Sequence, residues 1–313
     1  MISKNILAFG EILWDLLPDG AVLGGAPFNF TARVHSLGHR ARMISRLGRD
    51  DLGRRAFDQA TELGLDAGLV QWDDGKPTGT VPIKLDAAGV PDFNILPDVA
   101  YDRIELTDDL LRAAGEADCF CFGTLVQRTP HSRATLYALL DAASRSVKLL
   151  DINLRRDCYS PETVKESLRR ADALKLNEDE VRYVAEQLEL PAVPLPDFAA
   201  RVIDSCELRL CIITLGAKGV FAANGSGQYA YEPGRDVPVK DTCGSGDGLT
   251  AAFLDAHLQG KTLGECCRIG NAMGSLVATQ AGATEPVSRE RIAEFLANPG
   301  TTIIEPALEA FRV

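Results

Sequence analysis

The sequence predicts an α/β protein built around one mostly parallel sheet, with a second, smaller β-sheet beside it. Strand-like and helix-like segments alternate through most of the 313 residues, as they do in parallel sheets covered by helices. Two stretches near the N-terminus break this alternation and have the pattern of additional strands. No tandem repeat or clear linker divides the chain, so we expect one domain over residues 1–313.

The strands of the main sheet are short apolar runs rich in β-branched and aromatic residues. They are predicted at Asn5–Gly10, Arg40–Arg46, Asp118–Phe122, Val147–Asn153, Ala173–Leu176, Leu210–Leu215 and Gly219–Ala223. The helices carry apolar residues at intervals of three and four positions. They are predicted at Pro27–Leu37, Leu52–Leu63, Pro130–Ser144, Asp179–Leu188, Gly248–Gln259 and Leu263–Thr279.

The small sheet is predicted from two separate segments, about residues 11–25 and 78–98. In the first, Pro18-Asp19-Gly20 is a turn signal. In the second, apolar and polar residues alternate from Val81 to Asp86, and Ala88-Gly89 marks a hairpin. A small layer of this kind is only marginally stable alone, so its apolar face should rest on the main body or on another subunit. Because two segments contribute, we favour a lid over a ligand cleft rather than a surface decoration.

The charge balance limits the partners that the protein can have. There are 33 Lys and Arg residues against 44 Asp and Glu residues, a net charge of −11. An acidic surface argues against nucleic acids and anionic membranes, since both reward basic patches. No apolar run approaches transmembrane length, and the N-terminal segment lacks the cleavage site of a secretory signal. We therefore expect a cytoplasmic protein.

The eight cysteines and four histidines show neither metal-ligand spacing nor a Cys-x-x-Cys pair. We expect the cysteines to be free, buried thiols in a reducing cytoplasm. The histidines lie beside no nucleophile in the sequence, and we interpret all four as structural.

The most informative segment is Asp241-Thr-Cys-Gly-Ser-Gly-Asp247, which follows a strand-like run, Val237–Lys240, and precedes a helix. Small residues at such a turn let backbone N–H groups converge, and the first helical turn adds unpaired donors and a positive dipole end. This geometry suits a phosphate. Asp247 adds a carboxylate that could accept a proton during phosphoryl transfer. An acidic residue in a first helical turn is common by itself, so this hypothesis needs support from elsewhere in the chain.

Two other nucleotide-binding patterns are not met. Gly244-Ser-Gly-Asp-Gly248 lacks the Gly-x-Gly-x-x-Gly spacing of dinucleotide-binding folds, and the Walker P-loop pattern occurs nowhere. A nicotinamide-dependent oxidoreductase is therefore a disfavoured alternative, which binding of NAD(H) without ATP would revive.

With these motifs in view, the chain resembles the PfkB/ribokinase family of sugar kinases over nearly its whole length. Its Asp241–Asp247 is similar to the family's Asp-Thr-x-Gly-Ala-Gly-Asp, with Ser245 in place of the usual Ala. The other similar motifs are Gly24-Gly25-Ala-Pro-Phe-Asn29, Gly48-Arg-Asp-Asp-Leu-Gly53, Asn177-Glu-Asp-Glu180 and Thr214-Leu-Gly-Ala-Lys-Gly219. The resemblance implies a ribokinase-like, three-layer α/β/α domain with a small β-sheet lid.

The same resemblance implies the roles of individual residues. Asp247 would be the catalytic base, and the backbone of Gly244, Ser245 and Gly246 would hold the developing charge. The residues implied to contact the sugar are Asp15, Gly24, Gly25, Asn29, Arg155 and Asp247. Those implied to contact ATP are Asn177, Glu180, Thr214, Gly216, Gly219, Gly244, Gly246 and Asn271, with Asn177 and Glu180 acting on Mg²⁺ through water. Asp241, the carbonyl of Cys243 and the loop Val277–Ala283 are implied to hold a monovalent cation, such as K⁺.

The implied reaction is the transfer of the γ-phosphoryl group of ATP to a sugar hydroxyl. Asp151-Ile-Asn-Leu-Arg155 is similar to the branch that contains fructokinases and 2-keto-3-deoxygluconate kinases. The latter usually carry a Tyr-x-Arg element, whereas Asp98–Ile104 looks more like the Ala-aromatic-Asp pattern of fructokinases. We therefore expect D-fructose, phosphorylated at O6. Arg155 keeps the acid sugar as an alternative, because a guanidinium could bind its carboxylate.

Two further expectations concern assembly and activity. Related kinases often pair through their lids, so the resemblance implies a homodimer. Another PfkB-type sugar or nucleoside kinase remains possible within this class. The alternative of a different class is a regulator that binds sugar or nucleotide with little catalysis, because fold does not dictate activity.

Overall fold

The computed structural model describes residues 2–17, 20–85, 91–298 and 300–313. In these residues the strands are β1 (Asn5–Phe9), β2 (Leu13–Leu17), β3 (Gly20–Gly24), β4 (Arg40–Gly48), β5 (Val70–Asp73), β6 (Gly79–Leu85), β7 (Pro91–Phe93), β8 (Cys119–Phe122), β9 (Val147–Asp151), β10 (Ala173–Asn177), β11 (Leu210–Thr214), β12 (Gly219–Asn224), β13 (Tyr229–Arg235) and β14 (Thr302–Ile303).

The α-helices of the same residues are α1 (Ala26–Ser36), α2 (Asp51–Glu62), α3 (Asp108–Gly115), α4 (Pro130–Ala142), α5 (Pro161–Arg170), α6 (Glu178–Gln187), α7 (Leu195–Cys206), α8 (Ser245–Leu258), α9 (Leu263–Ala278) and α10 (Arg289–Ala297). None of them is both long and apolar enough to cross a bilayer.

The larger sheet has the strand order β14-β13-β12-β11-β10-β9-β8-β1-β4-β5. The seven strands from β11 to β5 run parallel, whereas β12, β13 and β14 pair antiparallel at one edge. This confirms the predicted α/β fold with a mostly parallel sheet. After β1 the chain continues to β4, which is the neighbour of β1 on one side. The neighbour on the other side, β8, comes later in the chain, so the sheet has a topological switch point between β1 and β8. Ligands of open α/β sheets bind beyond the carboxyl ends of strands at such points.

Helices cover both faces of the sheet, which explains why its strands are continuous apolar runs. Along β1, Leu7 and Phe9 pack with the layer of α3 to α7, whereas Ile6 and Ala8 pack with the layer of α1, α2, α8 and α9. These four side chains are at most 1% exposed. The two layers and the sheet form the three-layer α/β/α arrangement that was predicted.

The small sheet has the order β3-β2-β6-β7, with β2 parallel to β6. This confirms that the two segments predicted for it form one sheet. The turn signal at Pro18-Asp19 and the hairpin at Ala88-Gly89 lie outside the described residues. Leu13 and Trp14 of β2 point to opposite faces of the sheet, yet both are buried, as is Val81. This end of the small sheet therefore packs against the main body.

One strand prediction was wrong. Val237–Lys240 is irregular, since β13 ends at Arg235. Pro238 has no N–H to give to a sheet ladder, and the backbone amides of Lys240 and Asp241 both donate to the Ala278 carbonyl at the end of α9. The segment therefore crosses from the sheet to a helix end. The sequence analysis also missed four helices and three strands, namely α3, α5, α7, α10, β5, β13 and β14.

The prediction that all eight thiols are buried was wrong for one cysteine. All eight are free, and seven are buried, but Cys243 is exposed. The reason is its place in the irregular segment before α8, which the helix layers do not cover.

Candidate active site

The phosphate-binding turn predicted from the sequence forms the start of α8. Gly244 is the N-cap and has φ 74°, a left-handed conformation that glycine adopts without strain. A Cβ at this position would lie 2.6 Å from the Cβ of Ala283, so space also requires glycine. The Ser245 amide donates to the Thr242 carbonyl at 3.1 Å, and it is not a free donor as was expected. The amides of Gly246 and Asp247 lie in the first turn, where helical acceptors are lacking.

Asp247 lies in this first turn, in the crowded cleft between α8 and the sheet. Its Oδ2 accepts a hydrogen bond from Asn29 Nδ2 at 2.9 Å. Burial and the nearby Asp151 carboxylate raise its pKa to about 6, against the opposing effects of Lys175, Asn29 and Arg155. A carboxylate with this pKa is ionised at neutral pH yet is a better proton acceptor than an ordinary Asp.

The start of α1 forms the wall of the cleft opposite Asp247. Gly25, the N-cap of α1, has φ 112°, and a Cβ there would lie 2.5 Å from the carbonyl oxygen of Glu11. One turn into the helix, Asn29 is only 4% exposed. Its Oδ1 is buried and finds no hydrogen-bond partner among the described residues. A buried acceptor without a partner costs free energy. This oxygen is therefore suited to accept a hydrogen bond from a hydroxyl group of a ligand.

Asp15 reaches the same cleft from the small sheet. Its Oδ2 lies 3.2 Å from the point that a Cβ of Gly24 would occupy, so the missing side chain of Gly24 makes room for it. Burial raises the pKa of Asp15, and the charge of Arg155 opposes that shift. Arg155 is exposed on the loop after β9. Its charge also acts on Asp247, so the residues predicted to contact the sugar converge on one cleft.

Glu11 is a residue of this cleft that the sequence analysis missed. It follows β1, is 5% exposed, and lines a cavity together with Asp151 and Asn153. Burial raises its pKa to about 7, although backbone hydrogen bonds and Arg155 lower it. A charged residue directly after a buried parallel strand was the signal available in the sequence.

The sequence analysis also missed a buried ion pair beneath the turn before α8. Lys175 Nζ and Asp151 Oδ1 are 3.0 Å apart, and both residues are less than 10% exposed. They are direct neighbours in the pairing of β9 with β10. Burial disfavours the Lys175 charge, but the carboxylates of Asp151, Glu180 and Asp247 outweigh it and raise its pKa. The signals in the sequence were an aspartate at the carboxyl end of β9 and a lysine between two leucines of β10.

Comparison with known proteins decides the family of this chain. The family described as pfkB family carbohydrate kinase matches residues 20–290. The chain belongs to this family. Fructokinase-2 of Solanum habrochaites is 28% identical, over 90% of this chain and 92% of that protein. A sugar kinase of Pyrococcus horikoshii, solved in complex with ATP, is 27% identical with a TM-score of 0.80, over 94% of this chain and 99% of that one.

Among solved structures of lower identity, the 2-dehydro-3-deoxygluconokinase of Thermotoga maritima has a TM-score of 0.81. It is 19% identical, and the match covers 95% of this chain and 99% of that one. This likeness concerns the ribokinase-like fold, which the two chains share. The pfkB family is thus established for the chain, whereas its sugar is not decided by similarity.

Asn177 and Glu180, which were predicted to contact ATP, form a capping box at the start of α6. Asn177 Oδ1 accepts from the amides of Asp179 and Glu180 at 2.9 Å, and Glu180 Oε2 accepts from the amide of Asn177 at 2.8 Å. Glu180 Oε1 also accepts from the amide of Leu154 at 2.8 Å. Glu180 therefore fixes the loop that carries Arg155.

Asn177 and Glu180 were also predicted to act on Mg²⁺ through water. Within the described ranges no group of three His, Cys, Asp or Glu side chains could hold a metal. That suits Mg²⁺, which usually keeps several waters and binds through substrate phosphates. The role predicted for Asn177 and Glu180 in its water shell stays a prediction.

Four other residues predicted to contact ATP differ in the space around them and in the hydrogen bonds that they already make. Gly216 has φ 56° and nothing within 4 Å of an added Cβ, whereas a Cβ on Gly219 would lie 2.0 Å from the Glu232 carbonyl oxygen. Thr214 Oγ1 donates to the Leu176 carbonyl at 3.4 Å. Asn271 is buried, and its Nδ2 donates to the Pro233 carbonyl at 2.9 Å. Gly219 and Asn271 thus have structural roles, and contact of these four residues with ATP stays a prediction.

The loops predicted to hold a monovalent cation lie against each other. Asp241 accepts from the amide of Cys243 at 2.9 Å and from the amide of Gly282 at 3.1 Å. Because these amides already engage its carboxylate, a cation there would depend mainly on backbone carbonyls. Arg33, fully buried on α1, donates to the carbonyls of Ala283, at 2.6 Å, and Glu285. A positive charge that the sequence analysis missed therefore already supports this loop, and K⁺ binding stays a prediction.

Proposed function

We propose that the protein is an ATP-dependent sugar kinase that phosphorylates the primary hydroxyl of a ketohexose, with D-fructose as the first candidate and fructose 6-phosphate as the product. The observation that carries this proposal is the hydrogen bond of 2.9 Å between Asn29 and Asp247. It joins the wall at the start of α1 to an acidic side chain at the start of α8. A sugar hydroxyl in the cleft would therefore lie between a hydrogen-bonding amide and a proton acceptor.

The mechanism is an in-line phosphoryl transfer. Asp247 takes the proton of the sugar hydroxyl while the hydroxyl oxygen forms a bond to the γ-phosphorus of ATP. At the same time, the bond breaks between the γ-phosphorus and the oxygen that bridges it to the β-phosphate. ADP leaves with that oxygen. The amides of Gly246 and Asp247 and the dipole of α8 stabilise the charge on the transferring group. Such reactions need positioning and charge compensation more than covalent catalysis.

ATP and Mg²⁺ are the cofactors of this proposal. The ATP held by the Pyrococcus horikoshii relative supports the nucleotide. Mg²⁺, when bound with ATP, would neutralise part of the phosphate charge. The small sheet, which carries Asp15, would exclude water from the cleft and so limit wasteful hydrolysis of ATP.

A neutral sugar is favoured by the charges around the cleft. The charge of Arg155 acts on three carboxyl groups around the cleft, those of Glu11, Asp15 and Asp247, so it is partly compensated before a ligand enters. The arginine of the Tyr101-Asp-Arg103 segment is half exposed and pairs with Asp98 at 3.7 Å. An added carboxylate would therefore meet mostly like charge in the cleft. The fructokinase-2 relative of Solanum habrochaites agrees with this preference.

The substrate can be tested by measuring ADP release with fructose, 2-keto-3-deoxygluconate, ribose, glucose, tagatose and adenosine, each with and without K⁺. We expect fructose to give the highest kcat/KM. A strong signal from the acid sugar with none from fructose would replace the substrate but leave the reaction class intact. Binding without any ADP release would instead favour the regulator.

The role of Asp247 can be tested by Asp247→Asn. We expect a folded protein whose kcat falls by about 10²–10⁴-fold, the usual contribution of a positioned base. Asp197→Asn is a matched control, because Asp197 is an exposed acidic residue in the first turn of α7, on the other face of the sheet. Near-normal turnover by Asp247→Asn would remove the residue from the mechanism.

The proposal also includes a cytoplasmic location and a homodimer formed through the small sheets. Eight free cysteines support a reducing compartment. For the dimer, Leu17 and Val22 of the small sheet are 43% and 39% exposed, and β3 is an edge strand of that sheet. Exposed apolar side chains on an open strand edge favour pairing with another chain.

A further inference from the structure

Lys175 lies directly beneath the turn that would hold the transferring phosphate. A Cβ added to Gly246 would be 3.4 Å from Lys175 Nζ, so the glycine at this position lets the ammonium approach the first turn of α8. Lys175 points to this side of the sheet from β10. Its positive charge therefore adds to that of the free amides at the start of the helix.

The ion pair with Asp151 fixes the ammonium in this position. The two residues face each other on neighbouring strands, with Nζ and Oδ1 3.0 Å apart. Each is nearly inaccessible to solvent, at 7% for Lys175 and 8% for Asp151. A buried pair is weak evidence for stability, because removing two charges from water costs about as much as their attraction gains. Its place under the phosphate-binding turn points to a role in the reaction.

We infer that the buried ammonium of Lys175, positioned by Asp151, stabilises the negative charge of the phosphoryl group during its transfer. This inference rests on the proposed function, since it assumes that a phosphoryl group occupies the turn before α8. Lys175 exchanges no proton in this step. Its charge is fixed before the reaction, so it needs no reorganisation as charge moves onto the phosphoryl oxygens.

The same pair acts on the catalytic base, among several groups that face Asp247. These groups are Glu11 after β1, Arg33 on α1, Cys121 on β8, Asp151 on β9, Arg155 after β9, Lys175 on β10 and Cys243 before α8. Of the pair, Asp151 favours the protonated form of Asp247, and Lys175 favours the ionised form. Neutralising either partner should therefore shift the proton affinity of Asp247, in opposite directions.

The test compares Lys175→Met, Asp151→Asn and the double variant with the wild type. For Lys175→Met we expect kcat to fall about 10²–10³-fold, as when an oxyanion donor is removed, with a smaller change in KM. The acidic midpoint of the pH–rate profile should move up in Lys175→Met and down in Asp151→Asn. A purely structural pair would not move it in opposite directions.

The double variant is the control for the case in which a single variant loses activity because it fails to fold. Replacing both charges of a buried pair is often tolerated, whereas removing one leaves an uncompensated charge. We expect the double variant to regain the thermal stability of the wild type but to keep the low kcat of Lys175→Met. Full recovery of kcat in the double variant would overturn the inference.

A binding measurement separates this inference from the proposed function. ADP with aluminium fluoride mimics the transferring phosphoryl group, and transition-state mimics report such interactions without turnover. We expect Lys175→Met to bind this complex about 10²-fold more weakly while its affinity for ADP stays near that of the wild type. Equal affinities for the mimic would refute the role of Lys175 even if the wild type proved to be a fructokinase.

Discussion

The acid–base properties of the cleft are set by individual residues that lie far apart in the sequence. Asp247 has a pKa of about 6 because burial and Asp151 raise it further than Lys175, Asn29 and Arg155 lower it. None of these four neighbours lies within the motif of Asp241–Asp247. The motif supplies the carboxylate, and residues on β9, β10 and α1 set its proton affinity.

At the residue scale, we predict that kcat/KM rises as the pH increases through about 6 and then levels off, because Asp247 must be ionised to accept a proton. In Asn29→Ala the midpoint should move upward, since that change removes the hydrogen bond that favours the ionised form. Both are checked by a pH profile of kcat/KM with fructose. A downward shift in Asn29→Ala would show that the hydrogen bond does not stabilise the ionised form.

At the scale of elements, the start of α8 depends on contact with the loop after α9. Gly244 needs its left-handed backbone and also the space beside Ala283. Arg33 on α1 and Asp241 hold the same loop through its backbone. The turn before α8 is therefore held by α1 and the loop after α9, as well as by its own sequence.

We predict that Gly244→Ala loses activity, whereas Gly260→Ala does not. Gly244 and Gly260 flank α8 with φ values of 74° and 75°, but nothing lies within 4 Å of an added Cβ at Gly260. Both variants should lose roughly 1–2 kcal/mol of stability from the left-handed backbone. Only Gly244→Ala should also displace Ala283, and we expect its kcat/KM to fall at least about tenfold, which equals about 1.4 kcal/mol of transition-state stabilisation.

These two glycine variants are compared by thermal unfolding and by steady-state kinetics. Equal activity in both, with equal stability, would mean that the contact of Gly244 with Ala283 has no part in shaping the turn.

At the scale of the whole molecule, the small sheet is both a wall of the cleft and the candidate surface for assembly. Its inner face packs on the main body and presents Asp15 to the cleft. Val22 on the edge strand β3 pairs with Asp15 and so lies on the same face of the sheet, but it is 39% exposed. A dimer formed there would couple assembly to the shape of the sugar site.

We predict that Val22→Lys converts the protein from a dimer to a monomer in sedimentation velocity, because a charge on an edge strand opposes pairing with another chain. Leu106→Lys is the control, since Leu106 is 44% exposed but lies outside the small sheet. A wild type that sediments as a monomer, or a Val22→Lys protein that stays dimeric, would contradict assembly through the small sheet.

Much of the fold could be predicted because its signals are local. The strand predicted at Leu210–Leu215 and the helix at Leu263–Thr279 match β11 and α9 within one residue at each end. Val237–Lys240 failed because a local β-branched run says nothing about whether a partner strand is available. In β13, Pro233 pairs with β12 and Gly234 pairs with β14, although both residues argue against a strand when read alone.

The sequence by itself determined the α/β class, the small sheet from two segments, and the turn before α8 with its acidic residue. These depend on periodicity and on motifs a few residues long. Only the tertiary structure decided that Asn29 bonds to Asp247, that Glu11 lines the cleft, and that Lys175 pairs with Asp151 under the turn. Such contacts join residues 24 to 218 positions apart, and their energies depend on burial and distance, which arise only when the sheet and helices pack together.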